Sequence, residues 1–234
     1  SNFRIDTPNL NLDGPITNSN ANASFMITST DDIDIGDNTS TPLLTDTELS
    51  NLGSGWRSLN FVSYRYNVNV DTNGYEFSDP LSIQGNDDIS INNIDFAAGS
   101  DASLIVEGSS GTASNVYINS AIDLSQSSTG GSILFQDIDT LYLRGDLTTA
   151  GGDITTRDSV ASAIGGSGIG TYTFNAGTGT ISIGAGGFDS QFRRYDFIAD
   201  DYYFGGNVTS GNEFSGISLS PNANMSVGLG DRSE

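Results

Sequence analysis

The sequence predicts an all-β solenoid, a chain coiled into stacked parallel strands, with one short helix near residues 46–52. Three observations predict it. Large apolar residues fall mostly at every second position in runs of a few residues, the period of a strand. The turns between those runs are small and polar, such as GND, AAGSD and SQSSTGG, and are too frequent for helical crossovers. Finally, residues 3–36 return as residues 195–228 at an offset of 192 without gaps. In that match Phe3, Ile5, Leu10, Leu12 and Ile16 fall on Tyr195, Phe197, Tyr202, Phe204 and Val208, while Phe25 and Ile27 fall on Ile217 and Leu219. A slip of one residue turns every inward side chain outward, so an ungapped match of this length indicates one set of strands built twice. We therefore read 1–234 as a single solenoid segment, part of a longer array. An antiparallel sandwich is the alternative for so many short strands, but hairpin dipeptides are few, Asn73-Gly74 being the clearest.

In chain order, the first strand-like runs lie within 3–36. Alternation then breaks over Asn38–Trp56. Thr45 followed by Glu48 is a capping box, Leu44 and Leu49 are spaced as a hydrophobic staple, and Gly53 is a C-terminal stop, which places about two helical turns over 46–52. Strands resume at Ser58–Val62 and at Tyr64–Val70, where Tyr64, Tyr66, Val68 and Val70 alternate with polar residues; DTNG at 71–74 reads as a turn. Further runs carry Leu81 and Ile83, Ile89 and Ile91, Leu104 and Val106, Val116 and Ile118, Ile122 and Leu124, Ile133 and Phe135, and Leu141 and Leu143. With about 20 residues per coil and roughly 4.8 Å between strands, the rod would be on the order of 55 Å long.

Composition excludes several functions. The chain carries 29 acidic and 8 basic residues, a net charge of -21, and every basic residue is Arg. Such a charge repels phosphate, so nucleic acid is not an expected partner. The absence of His and Cys removes the usual ligands of zinc and copper and the His- or Cys-based nucleophile pairs. No apolar run reaches the roughly 18 residues of a membrane span, and the opening SNFRID has no signal-peptide pattern, as expected of a mature or excised segment.

The stretches Ile33–Phe61 (IDIGDNTSTPLLTDTELSNLGSGWRSLNF), Leu141–Thr156 (LYLRGDLTTAGGDITT) and Thr171–Gly186 (TYTFNAGTGTISIGAG) resemble segments of large bacterial surface proteins of the filamentous haemagglutinin type. These phrases cover about a third of the chain. The resemblance implies a right-handed parallel β-helix, part of the shaft of a secreted adhesin or filament at the cell surface. With neither His nor Lys to pair with its acids, the chain is not expected to be an enzyme or to require a cofactor. The secretion domain that defines the two-partner members of that family is not visible in this sequence.

Several candidate sites follow. Asp31, Asp32, Asp34 and Asp37 are an acidic cluster in which oxygen ligands could hold Ca2+, although neither an EF-hand loop nor the GGxGxD nonapeptide occurs; a solvated acidic face is the alternative. Arg144, Gly145 and Asp146 spell the tripeptide that integrins recognise, and a Gly-Asp turn before LTT is also ordinary shaft sequence in the resembling family. The dense cluster Phe188, Phe192, Tyr195, Phe197, Tyr202, Tyr203 and Phe204, with Arg193 and Arg194, is a candidate assembly surface, because alternation cannot bury both Tyr202 and Tyr203. The Arg pair is expected to neutralise Asp196 and neighbouring coils. The function expected is structural and adhesive: an extracellular segment that continues as an array or associates with itself, with surface glycans as further partners. A carbohydrate-active or carbohydrate-binding β-helix protein is the alternative.

Overall fold

The structure, a computed structural model, describes residues 2–7, 10–18, 21–109, 114–157, 170–190, 193–209 and 216–222. All described strand pairs are parallel, and they stack as a β-solenoid of about 8 turns. The first face is a nine-stranded sheet running from Asn2–Asp6 through Ser24–Ser29, Ser58–Ser63, Leu81–Gln84, Leu104–Glu107, Ile133–Gln136, Ile154–Thr156 and Thr180–Ile183 to Asp201–Phe204. The second face has five strands, Ile33–Ile35, Val68–Phe77, Ile89–Phe96, Asn115–Ile118 and Thr140–Leu143. The third also has five, Ile122–Leu124, Leu147–Thr149, Thr171–Asn175, Arg194–Ala199 and Gly216–Pro221. A two-stranded sheet, Phe188–Asp189 with Val208–Thr209, lies late in the chain.

Alternation in the sequence becomes stacking in the core. On the first face Phe25, Leu59, Leu81, Leu104, Ile133, Ile154 and Ile181 follow one another in register, and all are buried. On the second face Ile33, Val68, Ile89, Val116 and Leu141 do the same. Each inward side chain thus touches its counterpart one coil away, and β-branched and aromatic residues fill this pleated surface well.

The helix forms at Asp46–Asn51, between the second and third first-face strands, with the expected capping box: the Thr45 hydroxyl accepts from the Glu48 amide at 3.2 Å, and the Thr45 amide donates to Glu48 Oε2 at 2.9 Å. Leu44 and Leu49 are both buried, and Gly53 follows the cap with φ of 61°. The helix also anchors the preceding segment. The Leu12 amide donates to Glu48 Oε1, and Asn51 Nδ2 donates to the Leu12 carbonyl.

Three local expectations change. The DTNG sequence is no turn but lies inside the strand Val68–Phe77, where register shifts between Val70 and Asp71 and between Asp71 and Glu76 carry the chain round a corner of the solenoid. A bulge does there what a hairpin turn cannot, because both neighbouring strands run in the same direction. Tyr64 and Tyr66 lie in the bend before that strand and are exposed. Coils are also mostly longer than about 20 residues: in-register positions range from 19 apart, Glu76 to Asp95 beside the bulge, to 35 apart, Ile33 to Val68. About 8 turns at a strand spacing of roughly 4.8 Å give a rod on the order of 38 Å.

Both halves of the repeat contain two strands that pair in parallel. Phe3 and Ile5 lie opposite Phe25 and Ile27, as Tyr195 and Phe197 lie opposite Ile217 and Leu219. The first pair belongs to the first face and the second to the third face. Residues 210–215 and 223–228 of the second copy lie outside the described residues.

Candidate functional site

Outward residues of successive coils hydrogen-bond to one another, and this decides what the acidic surface can do. Asn69 Nδ2 donates to Asp34 Oδ1 at 2.7 Å from the adjacent coil, and the two residues are in register. The Asn67 amide and side chain both donate to Asp32 Oδ1. Asp71 Oδ1 accepts from Asn93 at 2.6 Å and from Asn38 at 3.3 Å; Asp88 accepts from Asn115, and Glu107 from Gln136. A stacked parallel sheet places outward carboxylates about 4.8 Å apart if acid follows acid. Alternating acid with amide replaces that repulsion by a charge-assisted hydrogen bond.

The acidic cluster is largely spent in this way. Asp34 Oδ2 also accepts from Thr41, and Asp37 Oδ1 accepts from the Asp46 amide. Asp31, Asp32 and Asp34 do line one open recess of about 400 Å3, with Leu10, Thr41 and Leu43 among the other walls, while Asp37 is not part of it. Among the described residues no three Asp, Glu, His or Cys converge to hold a metal ion.

Arg144, Gly145 and Asp146 form the corner between Thr140–Leu143 and Leu147–Thr149. Arg144 Nη1 donates to Asn119 Oδ1 on the coil before, and Asp146 Oδ1 accepts from the Thr173 amide on the coil after. Both charged side chains of the tripeptide are therefore engaged in binding neighbouring coils.

The aromatic cluster does come together. Phe174, Phe188, Tyr195 and Phe197 pack edge to face with centroids 4.7–6.3 Å apart, an arrangement favoured by the ring quadrupoles. Phe204 lies 6.0 Å from Phe197. Tyr203 is 59% exposed, whereas Tyr202 is half-buried. The Tyr202 hydroxyl lies within hydrogen-bonding reach of the Phe197 and Ser220 carbonyls, which share its one proton, and accepts from the Ala199 amide, so its ring reaches from the first face across to the third. Phe192 lies outside the described residues.

The Arg pair divides. Arg194 pairs with Asp196 at 3.3 Å, as expected. Arg193 is buried instead, its guanidinium 4.9 Å from the Tyr172 ring centroid and 2.6 Å from that residue's hydroxyl. Burial raises the Tyr195 phenol well above its ordinary range, against the lowering effect of Arg193.

Sequence reasoning missed a recess of about 240 Å3 between the second and third faces, lined by Glu76, Asp95, Phe96, Asp123, Gln126 and Ser127 among others. Glu76 and Asp95 are direct register partners, so acid meets acid here and the amide alternation lapses. The signal was too faint for sequence: these residues come from three separate coils.

Fold and surface together define a parallel β-solenoid with an acidic, hydrogen-bonded exterior. No protein-family model matches the chain, and no curated protein and no solved structure is significantly similar to it.

Proposed function

We propose that the chain is a structural and adhesive shaft segment of an extracellular bacterial surface fibre of the filamentous haemagglutinin type. One observation carries the reading: inward apolar ladders run coil upon coil, and amide–carboxylate hydrogen bonds join adjacent coils at several outward positions, so the fold extends by adding coils. Such a rod holds binding surfaces away from a cell and keeps an acidic exterior, which suits a saline medium where charge is screened. The test is electron microscopy of the native material labelled with an antibody to this segment, with binding of the purified chain to cells as the adhesive arm. Label along fibres and saturable cell binding are expected; label confined to globular particles overturns the structural reading.

A specific feature favours a second reading, carbohydrate binding, at the recess lined by Glu76, Asp95 and Phe96. Carboxylates that accept sugar hydroxyls beside an aromatic ring are suitable groups for this. Glycan-array binding that is lost on Phe96→Ala while the fold persists would support it, and an array without a hit would dismiss it.

A further inference from the structure

We propose that Asn73 is a self-modification site: the Gly74 backbone nitrogen attacks its side chain, and in the folded chain the asparagine becomes aspartate and isoaspartate. This chemistry needs only the chain and water, and it is independent of whether the chain belongs to a shaft. Asn73-Gly74 is the one Asn-Gly pair in the sequence. Glycine brings no side chain to shield its nitrogen and the widest backbone freedom for reaching the preceding side chain.

The fold leaves this pair open where it fastens other asparagines. Register passes from Asp71 opposite Asn93 to Glu76 opposite Asp95, so residues 72–75 have no register partner on Ile89–Phe96. Asn73 and Gly74 are both exposed, Gly74 has φ of 95°, and no atom lies within 4 Å of where its Cβ would stand. Among the described residues no hydrogen bond holds the Asn73 carboxamide; its backbone N–H is engaged, donating to Asp46 Oδ2 at 2.6 Å. Neighbouring asparagines differ. Asn38 donates to Asp71 and to the Thr72 carbonyl, Asn69 to Asp34 and Asn93 to Asp71, so each of these carboxamides is fixed to an adjacent coil. They are followed by Thr39, Val70 and Ile94, whose branched side chains crowd the next nitrogen.

The step balances with water as its one co-reactant. The Gly74 nitrogen gives up its proton and bonds to Asn73 Cγ, the Cγ–Nδ2 bond breaks, and ammonia leaves a cyclic imide behind. Water then opens the imide. Opening at Cγ restores the backbone with an aspartate; opening at the Asn73 backbone carbonyl routes the chain through Cγ and leaves isoaspartate, one carbon longer. The bulge takes up that carbon, because it already sets residues 72–75 against Ile94 alone and separates the registers of Val68–Val70 and Glu76–Phe77. Either product adds a negative charge beside Asp46, which is bonded reciprocally to Asp37 at the start of the helix. Repulsion there weakens the tie between bulge and helix while the sheets stay intact.

The test holds the purified chain in warm, mildly alkaline buffer and maps its peptides by mass spectrometry, with an isoaspartyl methyltransferase as probe for the longer product. Asn73 is expected to convert roughly tenfold or more faster than Asn38, Asn69 or Asn93, to give both products, and to leave the circular dichroism spectrum unchanged. The same chain in urea is the reference: release of the bonded carboxamides should speed their conversion, whereas Asn73 should change little. Conversion of Asn73 in urea but not in the folded chain overturns the proposal, since the bulge would then hold the pair as firmly as a ladder does. A native rate no faster than that of the bonded asparagines overturns it equally. In the converted fraction, hydrogen exchange should quicken at the Leu49 amide, which bonds the Thr45 carbonyl in the helix; unchanged exchange refutes the loosening.

Discussion

Replacing Gly145 by Ala is expected to be among the most damaging single-methyl additions to this chain. A Cβ at Gly145 would sit 2.0 Å from the Ser120 carbonyl oxygen, 2.2 Å from its carbon and 2.6 Å from the Ala121 nitrogen, all backbone atoms of the adjacent coil. Real Cβ contacts essentially never fall below 3.0 Å, so the coils must part by about 1 Å. Two hydrogen bonds clamp them at this corner: the Arg144 amide to the Ile118 carbonyl and the Ile122 amide to the Asp146 carbonyl, each 2.8 Å. Overpacking costs roughly 1–3 kcal/mol, and weakening two hydrogen bonds worth about 1 kcal/mol each adds to it, giving a loss of about 3 kcal/mol. At about 2–4 °C per kcal/mol for a chain of this size, the melting temperature should fall by roughly 6–12 °C. Thermal melting followed by circular dichroism measures this, with Gly14→Ala as the control because no atom lies within 4 Å of its Cβ. A Gly145→Ala chain that melts within about 1 °C of the parent would refute the close approach. It would also favour the reading of Arg144-Gly145-Asp146 as a projecting recognition loop.

Four further outcomes follow from named contacts. Thr45→Ala removes the helix cap and should cost about 1 kcal/mol, with faster hydrogen exchange at the Leu12 and Ile16 amides that the helix anchors. Burial pushes the Glu48 carboxyl upward, but the amides of Thr45 and Leu12 and the Thr45 hydroxyl outweigh it and hold the carboxyl below its ordinary range. The stability it contributes is present above the unfolded-state value and is lost as pH falls through the depressed folded value, so Glu48→Gln should flatten the acid limb of a urea-midpoint profile. Asn69→Asp sets a carboxylate in register with Asp34 and should cost roughly 0.5–1 kcal/mol at low salt, less at high salt; a urea midpoint shift that ignores salt would count against the amide–carboxylate ladder. Burial raises the Tyr75 phenol to about 12, with Asp79 adding to the effect, and raises Tyr195 as well. The folded chain then holds protons that the unfolded chain releases above about pH 10, so stability should decline as pH rises beyond that point. In a spectrophotometric titration, two of the nine tyrosines should ionise only as the fold is lost.

What could be read from the sequence was what neighbours along the chain decide. Alternation named the inward residues, from Phe25 and Ile27 to Leu141 and Leu143, because a strand's period is fixed by its own backbone. The helix was legible through Thr45, Glu48 and Gly53, all within nine positions. What depends on the next coil was not. Asn73-Gly74 reads as a turn until the strand Ile89–Phe96 is laid beside it and imposes a parallel register with bulges. Arg193 and Arg194 are adjacent, yet the first is buried against Tyr172 from the coil before and the second stays with Asp196 on its own strand. The acidic cluster looked like a ligand set because four carboxylates lie within seven positions; the amide that engages Asp34 is 35 residues away.

That pairing bears on how a chain with a net charge of -21 can coil at all. A solenoid multiplies every outward residue choice, because whatever stands on one coil meets what stands on the next. With 29 carboxylates and 8 arginines, neutralisation by ion pairs is out of reach, and among the described residues the pairs found are Arg4 with Asp6 and Arg194 with Asp196, each within one strand. Neutral amides solve the problem differently. Asn and Gln donate to an acid on the adjacent coil, so Asp32, Asp34, Asp71, Asp88 and Glu107 serve as acceptors between coils. The abundance of Asn that looks like loop composition is, on this argument, the counterpart of the acidity. It follows that exchanging an Asp–Asn pair for Asn–Asp keeps both the hydrogen bond between coils and the net charge, whereas Asp–Asp keeps neither.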